Sequence, residues 1–437
     1  MTNIFAQMIS KLLTAVFSFV FLITGVKSGL TGEEISTPDN FTPVLRFIVC
    51  SDIHLDGTET QEAAIRFGNL FDDMYAYAES QEYKNLDAVI VAGDFTDAGK
   101  ETEYEMYNKI VAEHKKDETQ LLTILGNHEF IEYRDVDATV GYDVYKKFVN
   151  ENVDTDVVIN GYHFIGVSYD DNGKSFTGKM QWLDERLRNA TKENPEKPVF
   201  VYQHPHPFGT VYGSVNWGDI SVRTVLSKYP QVVDFSGHSH YASSDPRSVW
   251  QSEFTAVGTG SLAAYMGNLN YIDGDKDAPG KSGGAWLVEC DANGNVSMKL
   301  YDIENRMFFS DIDYYFTNLS NPAKRTYTWH KQKSLDTAPE FPAESAVSSF
   351  VNENGETVIT FPEAKGFYEA ENYKITVKTG IKTVYESTVI SEYVRATDDD
   401  VKAIIGNLES GNYTVKVTAY SPYAMQGGTL QKTITVE

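Results

Sequence analysis

Five short apolar runs in this chain each end abruptly at an aspartate, asparagine or histidine. The runs are Phe47–Cys50, Leu86–Ala92, Leu121–Leu125, Pro198–Gln203 and Val232–Ser236. Short apolar runs without polar alternation indicate strands that are buried on both faces of a sheet covered by helices. Ligands bind to such sheets just beyond the carboxyl ends of the strands. The sequence therefore predicts a layered α/β domain whose functional site is assembled from several strand ends.

The residues at these strand ends share the ability to coordinate a metal ion. They are Asp52, His54, Asp94, Asn127, His128, His204, His238 and His240. Asp52 and His54 are two positions apart, so their side chains can leave the chain on the same side and share one ion. Three of the strand ends carry a glycine just before the polar residue, which lets the backbone turn sharply and approach an ion. A single Asp-x-His pair is common by chance, so the prediction of a metal site rests on the recurrence of such residues at five strand ends.

The order of the blocks adds a family resemblance. Asp-x-His, Gly-Asp, Gly-Asn-His-Glu, a strand-end His and Gly-His-x-His follow one another with helix-length spacers and resemble the calcineurin-like metallophosphoesterase superfamily over roughly residues 44–310. The resemblance implies a four-layer α/β/β/α sandwich and a metal-dependent phosphoric ester hydrolase with two divalent ions. A mixed His, Asp and Asn donor set suits Mn, Fe or Zn. In-line attack by a metal-bridging hydroxide is the implied reaction.

The resemblance also implies a role for each matching position. The implied metal ligands are Asp52, His54 and His240 for the first ion, Asn127, His204 and His238 for the second ion, and Asp94 as the bridge. His128 would assist the leaving group, and Asp97 would orient His128. We interpret Glu129 as a carboxylate at a helix N-terminus rather than a ligand.

Several residues near these blocks are candidates for contacts with substrate. His206 competes with His204 for the ligand position, and we prefer His204 because it directly ends the strand. His206, Tyr212 and Tyr241 are then predicted to bind substrate. For Trp217, which lies in the same region, pocket lining and simple loop packing both remain open.

Departures from the family pattern narrow the choice among the branches of the superfamily. Asp97 is followed by Ala98-Gly99, whereas protein Ser/Thr phosphatases have Asp-Arg-Gly there, and the tyrosine ligand of purple acid phosphatases is replaced by Asp97 itself. The motifs look closest to the branch that contains cyclic-nucleotide phosphodiesterases, which leaves phosphate monoesters and diesters both open as substrates. The alternatives are a phospholipid or sphingomyelin-type phosphodiesterase, and a non-catalytic extracellular binding protein that uses the core as a scaffold.

The N-terminus and the charge bear on location and partners. Lys11 precedes an apolar stretch, Leu12–Val26, and a small-residue cleavage site, which predicts a signal peptide over residues 1–28 with a retained anchor as the alternative. We expect a secreted, cell-surface or periplasmic protein without a stable membrane span after cleavage, acting on a small phosphoester. The net charge of −25 argues against a nucleic-acid-binding surface. Two cysteines, Cys50 and Cys290, exclude a disulfide framework, and their pairing stays open.

The domain organisation follows from a change of pattern along the chain. An exposed lead-in at 29–43 precedes the catalytic domain at 44–309, and a connector at 310–336 leads to residues 337–437. Polar and apolar residues alternate in that last segment, which predicts a β-sandwich that resembles a fibronectin type III domain, with Tyr413 as a packing residue. We expect this domain to be a spacer or to contact a polymer or cell surface. Its deletion should then leave hydrolysis of small substrates largely intact.

Overall fold

The computed structural model describes residues 36–135, 139–170, 174–263, 283–397 and 399–436. The predicted signal peptide and the start of the lead-in lie outside these residues. The helices of the described residues are α1 Glu62–Ser80, α2 Glu101–His114, α3 Val140–Phe148, α4 Met180–Glu193, α5 Ser214–Trp217, α6 Ile220–Leu226 and α7 Trp329–Leu335. None of them combines the length and the apolar character that a membrane crossing requires.

Two six-stranded sheets and one short two-stranded sheet form the N-terminal part of the molecule. Its strands are β1 Pro43–Cys50, β2 Ala88–Ala92, β3 Gln120–Ile124, β4 Thr155–Ile159, β5 Tyr162–Val167, β6 Val199–Gln203, β7 His206–Pro207, β8 Gly218–Asp219, β9 Val232–Ser236, β10 Val249–Gln251, β11 Thr255–Gly258, β12 Gly284–Asp291, β13 Val296–Asp302 and β14 Met307–Phe316. The first sheet has the order β14-β13-β12-β1-β2-β3, and the second has the order β10-β11-β9-β6-β5-β4. The neighbours β1, β2 and β3 are parallel, as are β5, β6, β9 and β11.

Alternate residues of the central strands face two different cores. In β1, Phe47 and Val49 belong to the core between the sheets, whereas Ile48 and Cys50 pack with the core that contains the helices. The ring of Phe47 lies 4.8 Å from Phe200 of the opposite sheet, centroid to centroid. Burial on both faces is the reason that these strands are uniformly apolar in sequence. Helices cover the outer faces of both sheets, which confirms the four-layer α/β/β/α architecture.

The apolar spacing of the sequence predicts helices over residues 62–79, 101–115, 140–149 and 180–190, and the structure has them as α1 to α4. The largest shift is the end of α4, at Glu193 rather than Ala190. The predicted end of the catalytic domain at residue 309 falls inside a strand. Residues 310–316, predicted as the start of a connector, complete β14, the edge strand of the first sheet, whose register with β13 pairs Phe316 with Val296. Most of β14 is half-buried, so its sequence lacks the clear alternation or apolar run that identifies a strand.

The two cysteines are free and buried. Leu45 pairs with Cys290 in the register of β1 with β12, and Cys50 lies five residues further along β1. Five residues of strand span about 17 Å, which is far beyond the reach of a disulfide.

The C-terminal part is all-β, as predicted. Its strands are β15 Ser348–Val351, β16 Thr357–Phe361, β17 Asn372–Thr379, β18 Lys382–Ile390, β19 Val401–Gly406, β20 Gly411–Tyr420 and β21 Gln426–Val436. They form a three-stranded sheet, β15-β16-β19, and a four-stranded sheet, β18-β17-β20-β21, around one apolar core. Tyr413 is buried, and its hydroxyl donates to the carbonyl of Glu409 at 2.8 Å. The fibronectin type III likeness stays a prediction.

The core between the sheets allows a stability prediction. Phe47→Ala removes a fully buried ring that contacts Phe164, Phe200 and Phe235, and we expect a loss of about 3–5 kcal/mol in the free energy of unfolding. Val158→Ala, at a side chain that is 51% exposed, is the control and should change that free energy by less than about 0.5 kcal/mol. Urea denaturation measures both, and equal effects of the two variants would contradict the two-sheet core.

Candidate metal centre

The polar residues predicted as a site lie on loops that are bound to one another through the main chain. The amide of Asp52 donates to the carbonyl of Gly93 at 3.1 Å, and the amide of His54 donates to the carbonyl of Asp94 at 3.1 Å. In the second sheet, the amide of Gly237 donates to the carbonyl of His204 at 2.9 Å. The carboxyl ends of parallel strands therefore converge as predicted.

The structure brings the predicted ligands into groups that could hold a metal ion. The groups are Asp52 with His54 and His240, Asp94 with His204 and His238, and His54 with Asp97 and His128. Within each group, one ligand atom from every residue lies within 4.8 Å of the others. The first two groups correspond to the two predicted ion sites, apart from Asn127.

Asn127 supplies an independent indication that a cation fits here. Its side-chain oxygen Oδ1 is buried and has no hydrogen-bond partner among the described residues. A buried acceptor without a partner costs about 1–3 kcal/mol. The amide of the next residue, His128, donates to Oδ1 of Asp94 at 2.8 Å, so Asn127 lies in a loop at the cluster, where a cation would satisfy its oxygen. The donor set of His, Asp and Asn without thiolate is one that divalent transition metals accept.

Distances within the cluster show that the two groups are adjacent. Oδ1 of Asp52 lies 3.0 Å from Nε2 of His240 in the first group and 3.8 Å from Nε2 of His204 in the second. Oδ2 of Asp94 lies 2.8 Å from Nε2 of His204 and 3.9 Å from Nε2 of His128. The Asp52 carboxylate therefore lies between the first two groups, whereas the Asp94 carboxylate lies between its own group and His128. A bridging role for Asp94 is a proposal.

Five of the seven predicted ligands adopt a backbone conformation that is rare for residues other than glycine. Their φ angles are +52° for Asp52, +51° for His54, +50° for Asp94, +70° for His238 and +54° for His240. Such conformations cost of order 1–3 kcal/mol each and persist where the surroundings hold them. Half of the ten non-glycine residues with positive φ in the described ranges are thus predicted ligands, and no sequence pattern shows this.

The glycines that precede ligands are required by neighbouring loops. A Cβ atom at Gly126 would overlap the carboxylate of Asp94, and one at Gly237 would overlap the carboxylate of Asp52. The sequence interpretation, that glycine lets the backbone approach an ion, is therefore refined. Each glycine makes room for a ligand from another strand.

The electrostatics of the buried carboxylates depend on the surrounding imidazoles. Burial alone would raise the pKa of Asp52, but His240 and His204 outweigh it and hold that pKa below its usual range. The pKa of Asp94 is likewise lowered, by His204 and His54 against the effect of burial. The pocket thus favours ionised carboxylates when positive charge is close to them.

Glu129 connects two of the ligand loops. Its fully buried carboxylate accepts hydrogen bonds from the amides of Asp94 at 3.1 Å, Thr96 at 2.9 Å and Gly126 at 2.6 Å. Burial and the nearby Asp94 raise the pKa of Glu129. The prediction that it is not a ligand agrees with this geometry, but its role in fixing the loops after β2 and β3 was missed. An acidic residue two positions after the predicted ligand Asn127 and directly before Phe130 was the available signal.

The prediction for Asp97 needs correction. The ring of His128 is oriented by the main-chain carbonyl of Asp97, 2.6 Å from Nδ1, and not by its carboxylate. That carboxylate is 54% exposed and lies 3.8 Å from Nδ1 of His54. Sequence could place Asp97 near His128 but could not tell which of its oxygens would face the ring.

The three residues predicted to bind substrate have contacts within the protein. His206 is 1% exposed and lies between the hydroxyls of Ser236 and Ser239, at 3.0 and 2.7 Å, so it is a structural residue beneath the site. Tyr212 stacks on Tyr241 with ring centroids 4.4 Å apart, and its hydroxyl donates to Glu371 of the C-terminal domain. Burial of His206 and Tyr241 and the contact of Tyr212 with Glu371 thus give these side chains structural contacts, and their predicted role in substrate binding stays a prediction.

Trp217, left open by the sequence, lies at the rim of the site. Its ring contacts the ring of His238 edge to face, with centroids 5.4 Å apart, and its side chain is 37% exposed. An exposed aromatic ring therefore lies against a histidine of the second metal group.

Comparison with known proteins agrees with the motifs. Residues 45–242 match the family model described as calcineurin-like phosphoesterase. A probable glycerophosphodiester phosphodiesterase of Arcobacter nitrofigilis is 29% identical over 169 residues, which are 36% of this chain and 58% of that protein. A UPF0046 protein of Caenorhabditis elegans is 26% identical over 231 residues, 49% of this chain and 70% of that protein.

Among solved structures, a purple acid phosphatase from yellow lupin (Lupinus luteus) has 12% sequence identity and a TM-score of 0.44, covering 68% of this chain and 56% of that one. The chain thus spans less than two thirds of both the phosphodiesterase and the phosphatase.

The contacts of Glu129 predict a specific defect. In Glu129→Gln the side chain can no longer accept from all its donors, and we expect metal affinity to fall roughly 10–100-fold while the helices and sheets are retained. Glu132→Gln, three residues on and exposed, is the matched control. Metal content after dialysis against a graded chelator series measures the effect, and equal retention by both variants would remove Glu129 from the site.

Proposed function

We propose that this chain, whose residues 45–242 are a calcineurin-like phosphoesterase domain, hydrolyses small phosphate esters at the His, Asp and Asn cluster. Its class is that of the metal-dependent phosphoesterases. The observation that carries the proposal is the pair of adjacent metal-binding groups beside the unpartnered oxygen of Asn127. With the predicted signal peptide, we place this activity outside the cytoplasm.

The proposed ligand assignment follows the two groups. Asp52, His54 and His240 would hold one ion, Asn127, His204 and His238 would hold the other, and Asp94 would contact both. When bound, a pair of divalent ions such as Mn, Fe or Zn would acidify water and neutralise the phosphoryl oxygens. A dinuclear centre is what the family match implies.

His128 is placed to handle the proton of the leaving group. Its Nδ1 faces the carbonyl of Asp97, which accepts only, so Nδ1 carries a hydrogen in every protonation state. Its Nε2 points toward Asp94, and its ring lies against His54 with centroids 4.4 Å apart. A ring fixed in this way can hold a second proton on Nε2 and donate it to an alkoxide that leaves from the metal groups.

A phosphodiester is the substrate class that we propose. The support for this choice is the probable glycerophosphodiester phosphodiesterase among the similar proteins. The imidazoles and carboxylates of the metal groups themselves suit the hydrolysis of either ester.

A second candidate is a diester with an apolar portion, such as a lipid head-group ester. Four apolar side chains between residues 208 and 220 are exposed: Phe208, Val215, Trp217 and Ile220. Of these, Trp217 is the one with a contact to a predicted ligand. Exposed apolar groups that cluster beside a site often mark the surface that receives a ligand. Because Trp217 also contacts His238, the segment is continuous with the second metal group.

Hydrolysis of bis-p-nitrophenyl phosphate and p-nitrophenyl phosphate tests the proposal. Both are assayed after chelation and after readdition of Mn, Zn, Fe, Ni or Mg, with Asp94→Asn beside the wild type. We expect metal-restored turnover with the diester preferred, and a loss of at least about 100-fold in Asp94→Asn. Phosphatidylcholine in mixed micelles tests the second candidate. No turnover with any metal would contradict the enzyme and leave a binding protein with a phosphoesterase core.

The role of the Asp97 carbonyl gives a separate prediction. Asp97→Asn keeps the main chain that orients His128, so turnover should fall less than about threefold, whereas His128→Asn should cost about 10²–10⁴-fold. Steady-state kinetics of both variants on the diester measure these two losses of turnover. A loss in Asp97→Asn as large as that in His128→Asn would show that the carboxylate orients the ring after all.

A further inference from the structure

The loop that follows the metal-binding histidines packs against the C-terminal domain. Ala242, two residues after His240, forms a buried apolar cluster with Tyr393 and Val394. Tyr241, which lies between His240 and Ala242 in sequence, is 5% exposed and stacks on Tyr212. The chain that carries the last ligand therefore enters the interface between the domains directly.

A buried charged group lies at the centre of this interface. Arg247 forms an ion pair with Asp245 of its own domain at 2.5 Å and another with Glu371 of the C-terminal domain. The carboxylates are almost inaccessible, at 0% of the Asp245 side chain and 7% of the Glu371 side chain. Breaking a buried ion pair by removing one partner leaves an uncompensated charge and costs much more than loss of a surface pair. The buried pair of Arg247 with Glu371 thus joins the two domains.

Tyr212 links this charged group to the rim of the site. Its hydroxyl donates to Glu371 at 3.1 Å, and its ring lies between Tyr241, at 4.4 Å, and the guanidinium of Arg247, at 3.7 Å. The next residue, Gly213, has φ +86°, and a Cβ there would overlap Tyr241. Helix α5 starts directly after it and ends at Trp217, which contacts His238.

We propose that Glu371 of the C-terminal domain is a positioning residue for the metal centre, acting through Tyr212 and Arg247 on the segments 209–217 and 238–247. One carboxylate from the β-sandwich thereby reaches both histidines of the Gly-His-Ser-His block, His240 through Tyr241 and His238 through Trp217. The C-terminal domain is then part of the catalytic unit and not a spacer. This replaces the expectation that its deletion would leave hydrolysis intact.

The test uses full-length variants. Glu371→Gln removes the charge at nearly constant volume, and Tyr212→Phe removes one hydroxyl while keeping the ring, so it remains informative if the first variant folds poorly. Glu386→Gln is the matched control, because its side chain is 52% exposed and pairs with Lys374 on the outside of the same domain. Amide hydrogen exchange of the metal-free proteins is measured by mass spectrometry, with circular dichroism to confirm the fold.

We expect faster exchange in segments 209–217 and 238–247 for Glu371→Gln, a smaller increase for Tyr212→Phe, and no change for Glu386→Gln. This readout does not depend on catalysis, so it stands even if the proposed function fails. Given that function, kcat on the diester should fall roughly 10-fold in Glu371→Gln with KM changed less than about twofold. Exchange that rises only within residues 337–436, or in neither variant, would overturn the proposal and leave Glu371 a purely structural residue.

Discussion

Two carboxylates, those of Asp52 and Asp94, are buried in one pocket. The structure around them must supply the positive charge and the hydrogen-bond donors that stabilise them. Neither side chain reaches water, and a carboxylate in such surroundings is stable in its charged form only beside positive charge or donors. Imidazoles from the second sheet supply part of that compensation, and a pair of divalent cations would supply the rest. The two sheets must therefore pack face to face with their parallel strands ending at the same edge.

The same requirement explains the strained backbone at the site. Ligands from several strand ends can reach a common point only if the chain reverses direction within two or three residues, and positive φ angles at His54 and His238 achieve this. The strain is held by main-chain hydrogen bonds between loops and by the carboxylate of Glu129, which accepts from two of those loops. On our proposal, the buried group formed by Arg247 and Glu371 continues this support into the C-terminal domain.

Much of the fold and most of the site could be predicted from sequence. Strands buried on both faces, such as β1 and β6, appear as plain apolar runs, and the polar residue that ends each run marks the site. Edge strands could not be found in this way, because β14 is half-buried and lacks a clear period. Side-chain direction was the other limit. The contacts of His206 and the choice between the oxygens of Asp97 depend on loops from distant strands, which spacing along the chain does not encode.

The measurement that tests the central claim most directly is a titration of the metal-free protein with Mn(II), followed by electron paramagnetic resonance. Two adjacent groups around Asp52 and Asp94 predict binding of two ions per chain and, at the second equivalent, a signal from two spin-coupled Mn(II) ions. Ions about 3.5–4 Å apart, as in dinuclear hydrolytic sites, couple in this way. A single equivalent bound, or two ions with only uncoupled signals, would contradict the dinuclear centre.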